Sequence, residues 1–165
     1  MTNGVMHDGL YRGEVANNVD PERKGRVQIK VPSVFGDNTL TWALPCVPYA
    51  GPGVGFFFIP PVGAQLWIMF ECGDPEYPVW MGCFWDSAND VPASPQIAEM
   101  KVLQTDTATV TIMDGPGPAS VTVETQSGLK IEMNAQGIEI STGQGATVTL
   151  QGPKTAINGS ALEVT

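Results

Sequence analysis

Two apolar runs within residues 54–85 constrain the fold of this chain more than any other feature of the sequence. Two turn-forming sequences interrupt them, Pro60-Pro61-Val62-Gly63 and Cys72-Gly73-Asp74-Pro75. Apolar runs that are bounded by turn residues are typical of strands buried on both faces. The pattern therefore predicts the wall of a small closed barrel rather than an open sheet.

Further short strands precede this block, so the N-terminal half is predicted to be all-β. In residues 26–31 apolar and polar residues alternate, which indicates a strand with one buried face. Gly51-Pro52-Gly53 predicts an unpaired loop over residues 48–55. The predicted strands are 10–16, 26–31, 42–47, 56–59, 65–71 and 79–85. Five or six strands in this length fit an OB-fold-like Greek-key barrel.

Beyond residue 100 the pattern changes to short Thr/Val/Ile alternations between glycine turns, without any aromatic residue. A strand and a turn every ten or so residues is the pattern of a β-solenoid or β-prism. Because one copy has no second layer on which to bury its apolar face, we expect three copies to wind about one axis and share a core. The expected trimer-core residues are Val121, Val123, Leu129, Ile131, Ile138, Ile140, Val148 and Leu150.

These patterns give a domain plan for the whole chain. Residues 86–95 are rich in Ser, Ala, Asn, Asp and Pro, which is typical of a linker. The plan is an N-terminal arm (1–9), an OB-fold-like barrel (10–86), a linker (87–100) and an intertwined trimeric β-helix or β-prism (101–165). The predicted fold class is all-β throughout.

Charge and composition exclude several classes of function. The net charge of −9 repels phosphate backbones and argues against a nucleic-acid partner, and the basic Arg23-Lys24-Gly25-Arg26 is predicted to be a solvated turn. No apolar stretch approaches the roughly 20 residues that span a bilayer, and no signal segment is recognisable, so we expect synthesis in the cytoplasm. The cysteines lack zinc-site spacing and are predicted to be small buried apolar residues. They are Cys46, Cys72 and Cys83.

No motif predicts catalysis, a metal or a cofactor. Asp74 and Glu76 are neighbouring carboxylates, but they lie in a predicted turn, where acidic residues are common. The glycines of residues 51–55 are not followed by the Lys-Ser/Thr of a phosphate loop. His7 is the only histidine, has no orienting carboxylate in sequence and is predicted to be solvated. We therefore predict a protein that is not an enzyme.

Two groups of residues resemble the barrel domain of the central spike in the baseplates of contractile phage tails. The first group comprises Gly13-Glu14-Val15, Asn18, Asp20-Pro21, Gly25-Arg26-Val27 and Val31-Pro32. The second comprises residues 53–63, Phe70-Glu71-Cys72-Gly73-Asp74-Pro75, Tyr77-Pro78-Val79 and Gly82. The same domain occurs in the valine-glycine repeat spikes of type VI secretion and in extracellular contractile injection particles. The resemblance covers nearly the whole chain.

The resemblance implies a homotrimer that is assembled into a virion baseplate or contractile injection particle. Its barrels would sit on a hub protein, and its triple-stranded β-helix would be driven through the target cell envelope on sheath contraction. We expect hub contacts from the loops at residues 18–20 and 35–37. The lysozyme-like domain of some relatives has no counterpart after Trp85, so lytic activity is not expected.

The resemblance also bears on the tip. Some relatives hold iron with a terminal His-x-His, which the tail of this chain lacks. We therefore expect a separate proline-alanine-alanine-arginine repeat protein to cap the tip, with contacts at Ile157, Leu162 and Val164.

Two other functions are compatible with the sequence. One is a trimeric carbohydrate-binding or carbohydrate-degrading tail fibre, although such shafts normally present aromatic residues or paired carboxylates. The other is an OB-fold single-strand nucleic-acid binder, which would stack bases on aromatic side chains in a positive groove. The candidate stacking residues are Phe56, Phe57, Phe58, Trp67 and Trp80.

Overall fold

The computed structural model describes residues 6–115, 119–159 and 161–164. It divides the chain into two compact units, one up to Ala88 and one from Asn89. Both units consist of strands, and the helical pieces among these residues are one short helix, α1 (Pro32–Phe35), and two single turns of 3₁₀-helix. The predicted all-β class is confirmed. No helix in the described ranges is long and apolar enough to cross a bilayer.

The first unit is built on a closed five-stranded barrel, which confirms the predicted OB-fold-like domain. Its strands are β1 (Tyr11–Asn17), β2 (Val27–Lys30), β3 (Thr39–Pro45), β4 (Ala50–Gly51), β5 (Val54–Gly55), β6 (Gln65–Phe70) and β7 (Pro78–Phe84). The order around the barrel is β1, β2, β3, β7 and β6, and only β3 and β7 run parallel. The strands β4 and β5 form a separate two-stranded hairpin.

Alternate strand positions fill the barrel interior. In β6, Leu66, Ile68 and Phe70 are buried, whereas Trp67 and Met69 lie on the outer wall. The prediction that the runs in residues 54–85 are buried on both faces is therefore wrong, because only one side of a barrel wall faces the core. The core residues are Val15, Val27, Ile29, Val31, Ala43, Leu66, Ile68, Phe70 and Trp80.

The segment before β6 departs from the prediction in two ways. Residues 56–59 lie outside any strand, although their apolar run predicts one. The predicted unpaired loop instead carries the β4–β5 hairpin, in which Ala50 pairs with Gly55 and Gly51 with Val54. Gly53, at a φ of 74°, turns the chain between them. The strand prediction for residues 56–59 is wrong because an exposed apolar run has the same sequence pattern as a buried strand.

Ion pairs order the turn between β1 and β2. Arg26 Nη2 lies 2.7 Å from Asp20 Oδ1 and 3.0 Å from Glu22 Oε1, and the guanidinium lies over the Trp42 ring. The side chains of Arg26 and Asp20 are only 14% and 4% exposed. The hydrogen bond from Arg26 holds the pKa of Asp20 well below its usual range. The prediction of a solvated basic turn is therefore wrong for Arg26.

Two predictions about single residue types are also wrong. The ring of His7 is packed against Phe35, with 5.0 Å between ring centroids, and against Phe70 at 5.8 Å, so it is not a solvated terminal side chain. The cysteines are exposed in the single chain rather than buried, because their strand and turn positions lie on the outer surface of the barrel. They are Cys46, Cys72 and Cys83.

The second unit is one antiparallel sheet of eight strands in which the sheet order follows the chain order. The strands are β8 (Met100–Gln104), β9 (Ala108–Met113), β10 (Ser120–Thr125), β11 (Lys130–Asn134), β12 (Gly137–Ser141), β13 (Thr147–Gln151), β14 (Lys154–Ile157) and β15 (Leu162–Val164). A single chain thus forms a meander and does not coil around itself. The sequence pattern missed β8 and β14.

Candidate functional site

Strand pairing gives the sheet β8–β15 two faces of opposite chemistry. Side chains alternate along a strand, and directly paired residues share a face. On one face Val123 pairs with Val110 and Ile131, and on the other Thr122 pairs with Thr111. One face of the sheet is therefore apolar and the other polar.

Two cross-strand rows make up the apolar face, and we refer to them together as the apolar ladder. The first row crosses all eight strands through Leu103, Val110, Val123, Ile131, Ile140, Val148, Ile157 and Leu162. The second row contains Ile112, Val121, Met133, Ile138 and Leu150. Lys101 and Thr155 flank the second row. Most members are branched aliphatic residues, which pack well on a pleated surface.

The apolar ladder is not covered by any described part of the C-terminal unit. Ile131, Ile140 and Leu150 each expose 41% to 44% of their surface, whereas the central residues of the barrel core are fully buried. Among the described residues of this unit, Ala156 is the one buried apolar residue, and its pairing with Thr149 places it on the polar face. A sheet with an apolar face needs a second layer. The ladder is therefore one half of a core, and the sheet itself does not supply the other half.

The residues predicted for a trimer core come together on this face. Seven of them belong to the apolar ladder, and Leu129 lies just before β11. Their role in a trimer stays a prediction. The sequence pattern left out Leu103, because β8 has two adjacent apolar residues and no alternation. Only the pairing of Leu103 with Val110 reveals its place in the row.

The residues predicted to contact a tip protein lie at one side of the sheet. Ile157 and Leu162 are directly opposite each other in β14 and β15, where they end the first row of the ladder. The backbone of Val164 pairs with Thr155, but its side chain lies outside the described residues. Within the described chain, β15 is an edge strand. Its free hydrogen-bonding edge is able to accept a further strand.

The polar face carries local ion pairs. Lys130 Nζ lies 2.5 Å from Glu132 Oε2. This hydrogen bond lowers the pKa of Glu132 and raises the pKa of Lys130. Glu124 and Glu139 on the neighbouring strands also raise the pKa of Lys130, so this lysine interacts with three carboxylates. Paired charges of this kind suit a hydrated outer face.

The candidate catalytic carboxylates form part of a turn. Asp74 Oδ1 accepts the backbone N–H of Glu76 at 3.0 Å, and both side chains are exposed. Aspartate side chains commonly accept such a hydrogen bond from the backbone two residues further along a turn. Among the described residues, no three His, Cys, Asp or Glu side chains are grouped as metal ligands would be.

The candidate stacking residues do not form one platform. Trp80 is buried in the barrel core, and its Nε1 donates to the Gly25 carbonyl at 3.3 Å. The ring of Trp67 packs at a tilt of 41° against that of Phe84, with 4.8 Å between centroids, and the Arg12 guanidinium lies over both rings. The three phenylalanines of residues 56–58 are exposed. Trp80 is therefore not accessible for base stacking, and that candidate is wrong.

Two family models match the chain, one within each of its two structural units. Residues 11–85 match the model of the type VI secretion system/phage-baseplate injector OB domain. Residues 100–163 match the model of the phage baseplate V C-terminal trimerisation domain. The first match spans the closed barrel, and the second spans the sheet that carries the apolar ladder.

Two curated relatives are similar to part of the chain. The type VI secretion system spike protein VgrG5 of Pseudomonas aeruginosa is 30% identical over 102 residues, which is 59% of this chain and 13% of the relative. The spike protein VgrG4b of the same organism is 30% identical over 87 residues, which is 50% of this chain and 11% of the relative. The chain thus spans only a small fraction of the length of the curated relatives that it matches.

Proposed function

The chain belongs to the family of baseplate V and valine-glycine repeat spike proteins of contractile phage tails and type VI secretion systems, and we propose that it is the central spike of such a baseplate. In this proposal it is a homotrimer without enzymatic activity. It is made in the cytoplasm, assembled into a virion baseplate or contractile injection particle, and driven through the target cell envelope when the sheath contracts.

The uncovered apolar ladder is the observation that carries this proposal. Completing the burial of a half-exposed aliphatic side chain contributes about 1 kcal/mol, so a ladder of this length contributes on the order of 10 kcal/mol per chain. Three sheets around one axis would turn their ladders inward and leave the polar faces in water. The match of residues 100–163 to a trimerisation domain supports three copies rather than two.

The mechanical role follows from the same arrangement. Main-chain hydrogen bonds connect each strand of the meander to the next from β8 to β15. A closed prism of three such sheets with a dry interior resists bending and axial load without any catalytic group. A hub protein bound to the barrels and a proline-alanine-alanine-arginine repeat protein bound to the C-terminal sheet complete the proposed assembly. The open edge of β15 and the pair of Ile157 and Leu162 beside it support the tip contact.

Two substitutions in β10 test the trimer. Val123→Lys places a charge in the apolar ladder, whereas Thr122→Lys places the same charge on the opposite face, across from Glu132. Size-exclusion chromatography with light scattering should give three times the 17.5 kDa chain mass for the parent protein and for Thr122→Lys. We expect Val123→Lys to lower the trimer fraction at least tenfold, because three lysines would meet in the core. A monomeric parent protein, or equal behaviour of the two variants, would contradict the proposal.

The same pair of variants tests the role in penetration. Contractile particles that carry Thr122→Lys should deliver their contents or kill target cells as the parent particles do. Particles assembled with Val123→Lys should lose this activity. If particles without any copy of this chain act normally, the spike role is refuted.

A further inference from the structure

The barrel exposes an aromatic patch that the proposed trimer sheet does not use. It lies on β4, β5 and the adjoining residues, and we call it the aromatic hairpin. Its members are Tyr49, Val54, Phe56, Phe57 and Phe58. Phe57 exposes 72% of its surface, and the rings of Tyr49 and Phe58 lie 6.5 Å and 6.3 Å from that of Phe56. Aromatic residues clustered in the open mark an interaction surface.

A second apolar patch lies on the outer barrel wall, and we call it the wall strip. Val79 of β7 is paired with Leu44 of β3 on one side and with Met69 of β6 on the other. Met81 follows two residues after Val79 on the same face, and Trp85 follows the end of β7. Except for Val79, each member is at least 40% exposed. Methionine side chains adapt readily to the shape of a partner.

Both patches come from stretches without a charged residue, namely 38–70 and 77–85. The chain as a whole carries a net charge of −9. Identical acidic chains repel one another unless the surfaces in contact are uncharged. Partners of opposite charge are instead recognised through complementary charges. None of the members of either patch is charged, and the neighbouring Arg12 guanidinium already lies over the Trp67 and Phe84 rings. A second copy of this chain therefore fits both surfaces.

The symmetry of a closed trimer requires two different patches on each barrel. A twofold dimer joins one patch to itself, whereas each contact in a closed ring of three joins two different patches. We propose that the aromatic hairpin of each barrel docks on the wall strip of the next barrel, so that three barrels close into a ring. This inference rests on the proposed homotrimer and extends its interface from the C-terminal sheet to the barrels.

The size of the patches fits a contact that forms only within the trimer. Aromatic side chains of this kind present 150–250 Å² each, so the aromatic hairpin offers on the order of 500 Å². One hairpin–strip contact would bury on the order of 1,000 Å² in total, which is less than the roughly 1,600 Å² of a standard stable complex. The chain leaves the wall strip at Trp85 and begins the sheet at Met100, so the tether is short. Short tethers raise the effective concentration to about the millimolar range, at which a weak contact forms.

Cysteine cross-linking of the full chain tests the ring. Cys46, Cys72 and Cys83 are first replaced by serine, and Phe57→Cys is then combined with Met69→Cys. A short bis-maleimide should convert the double variant to covalent trimers on a denaturing gel. Each single variant should remain monomeric on the gel, as should the control that combines Phe57→Cys with Asp37→Cys, an exposed residue outside both patches.

Each outcome of this experiment decides the question. Covalent dimers from Phe57→Cys alone would show that hairpins meet each other, and this would overturn the ring. If light scattering shows a trimer but the double variant does not cross-link, the barrels do not meet through these patches, and the ring fails while the proposed spike stands. If light scattering shows a monomer, the proposed function fails as well.

Oxidation of methionine gives a second, independent measurement. Mild hydrogen peroxide should oxidise Met69 and Met81 several times faster in the Phe57→Asp trimer than in the parent trimer, because the aromatic hairpin no longer covers them. Met133 of the apolar ladder serves as the internal control and should not change. Equal rates at Met69 and Met81 in both proteins would overturn the proposal.

Discussion

Asp20 organises the turn between β1 and β2 because its carboxylate accepts several hydrogen bonds at once. Oδ1 accepts from the Glu22 backbone N–H at 2.9 Å and from Arg26 Nη2 at 2.7 Å, and Oδ2 accepts from the Lys24 backbone N–H at 2.8 Å. An amide offers one acceptor oxygen, and its NH₂ group would face these donors. We expect Asp20→Asn to lower the melting temperature of the barrel by several degrees, as followed by tryptophan fluorescence.

Asp37→Asn is the matched control for this substitution. Asp37 also lies in a turn, but its side chain is exposed. Its replacement should therefore leave the melting temperature almost unchanged. Equal shifts in the two variants would show that the Asp20 contacts stabilise the barrel no more than an exposed loop carboxylate does.

The same residue predicts a pH dependence. Folding lowers the pKa of Asp20, so the carboxylate stabilises the fold above its unfolded pKa of about 4 and loses this contribution as the pH falls through the lower folded value. The difference in urea midpoint between the parent protein and Asp20→Asn should be largest near neutral pH and should shrink progressively below about pH 4. A difference that persists unchanged in acid would contradict this assignment.

At the scale of the elements, the close approach of β12 and β13 depends on Gly137. Its φ is 150°, and a Cβ added there would lie 1.9 Å from the Leu150 carbonyl oxygen. Gly152 has a φ of 56° but no heavy atom within 4 Å of an added Cβ. Gly152→Ala should therefore cost about 1 kcal/mol for the left-handed backbone. Gly137→Ala should lower the free energy of unfolding several times more, because the two strands must separate. Guanidinium unfolding followed by circular dichroism would measure both losses. Equal losses in the two variants would refute the steric argument.

The elements also show how far the sequence predicts this fold. Alternation alone located β2 and most strands of the meander, because it reports one buried or buriable face. It missed β14, where Ala156 and Ile157 follow two polar residues, and only the pairing of Ile157 with Val148 reveals that strand. It misassigned residues 56–59, because three phenylalanines in a row give the same signal in a buried strand and in an exposed patch.

The candidate site was predictable in part, for a related reason. The sequence identified most members of the apolar ladder, since alternation places Val121 and Val123 on one face whatever the register. It gave no register, so it did not show that two continuous rows cross the sheet. Nor did the sequence show that Asp20 and Arg26 form an ion pair, because that contact depends on the conformation of the turn.

At the scale of the whole molecule, the two units differ in how they obtain a core. The barrel has nine buried apolar residues of its own, whereas the described part of the C-terminal unit has Ala156 alone. As long as the sheets hold the chains together, the barrel should therefore unfold with a midpoint that is independent of protein concentration. The sheet should unfold with a midpoint that rises with concentration, because in the proposed trimer its core forms between chains and mass action then favours the folded state.

The distribution of tryptophan separates these two transitions in one experiment. All four tryptophans lie in the first unit and none in the second, so tryptophan fluorescence follows the barrel alone, whereas far-ultraviolet circular dichroism follows both. Over a hundredfold range of protein concentration in guanidinium, the fluorescence midpoint should stay fixed and the later dichroism midpoint should move upward. If the dichroism midpoint also stays fixed at equilibrium, the sheet folds within one chain, and the apolar ladder would then be an exposed surface that needs a different partner.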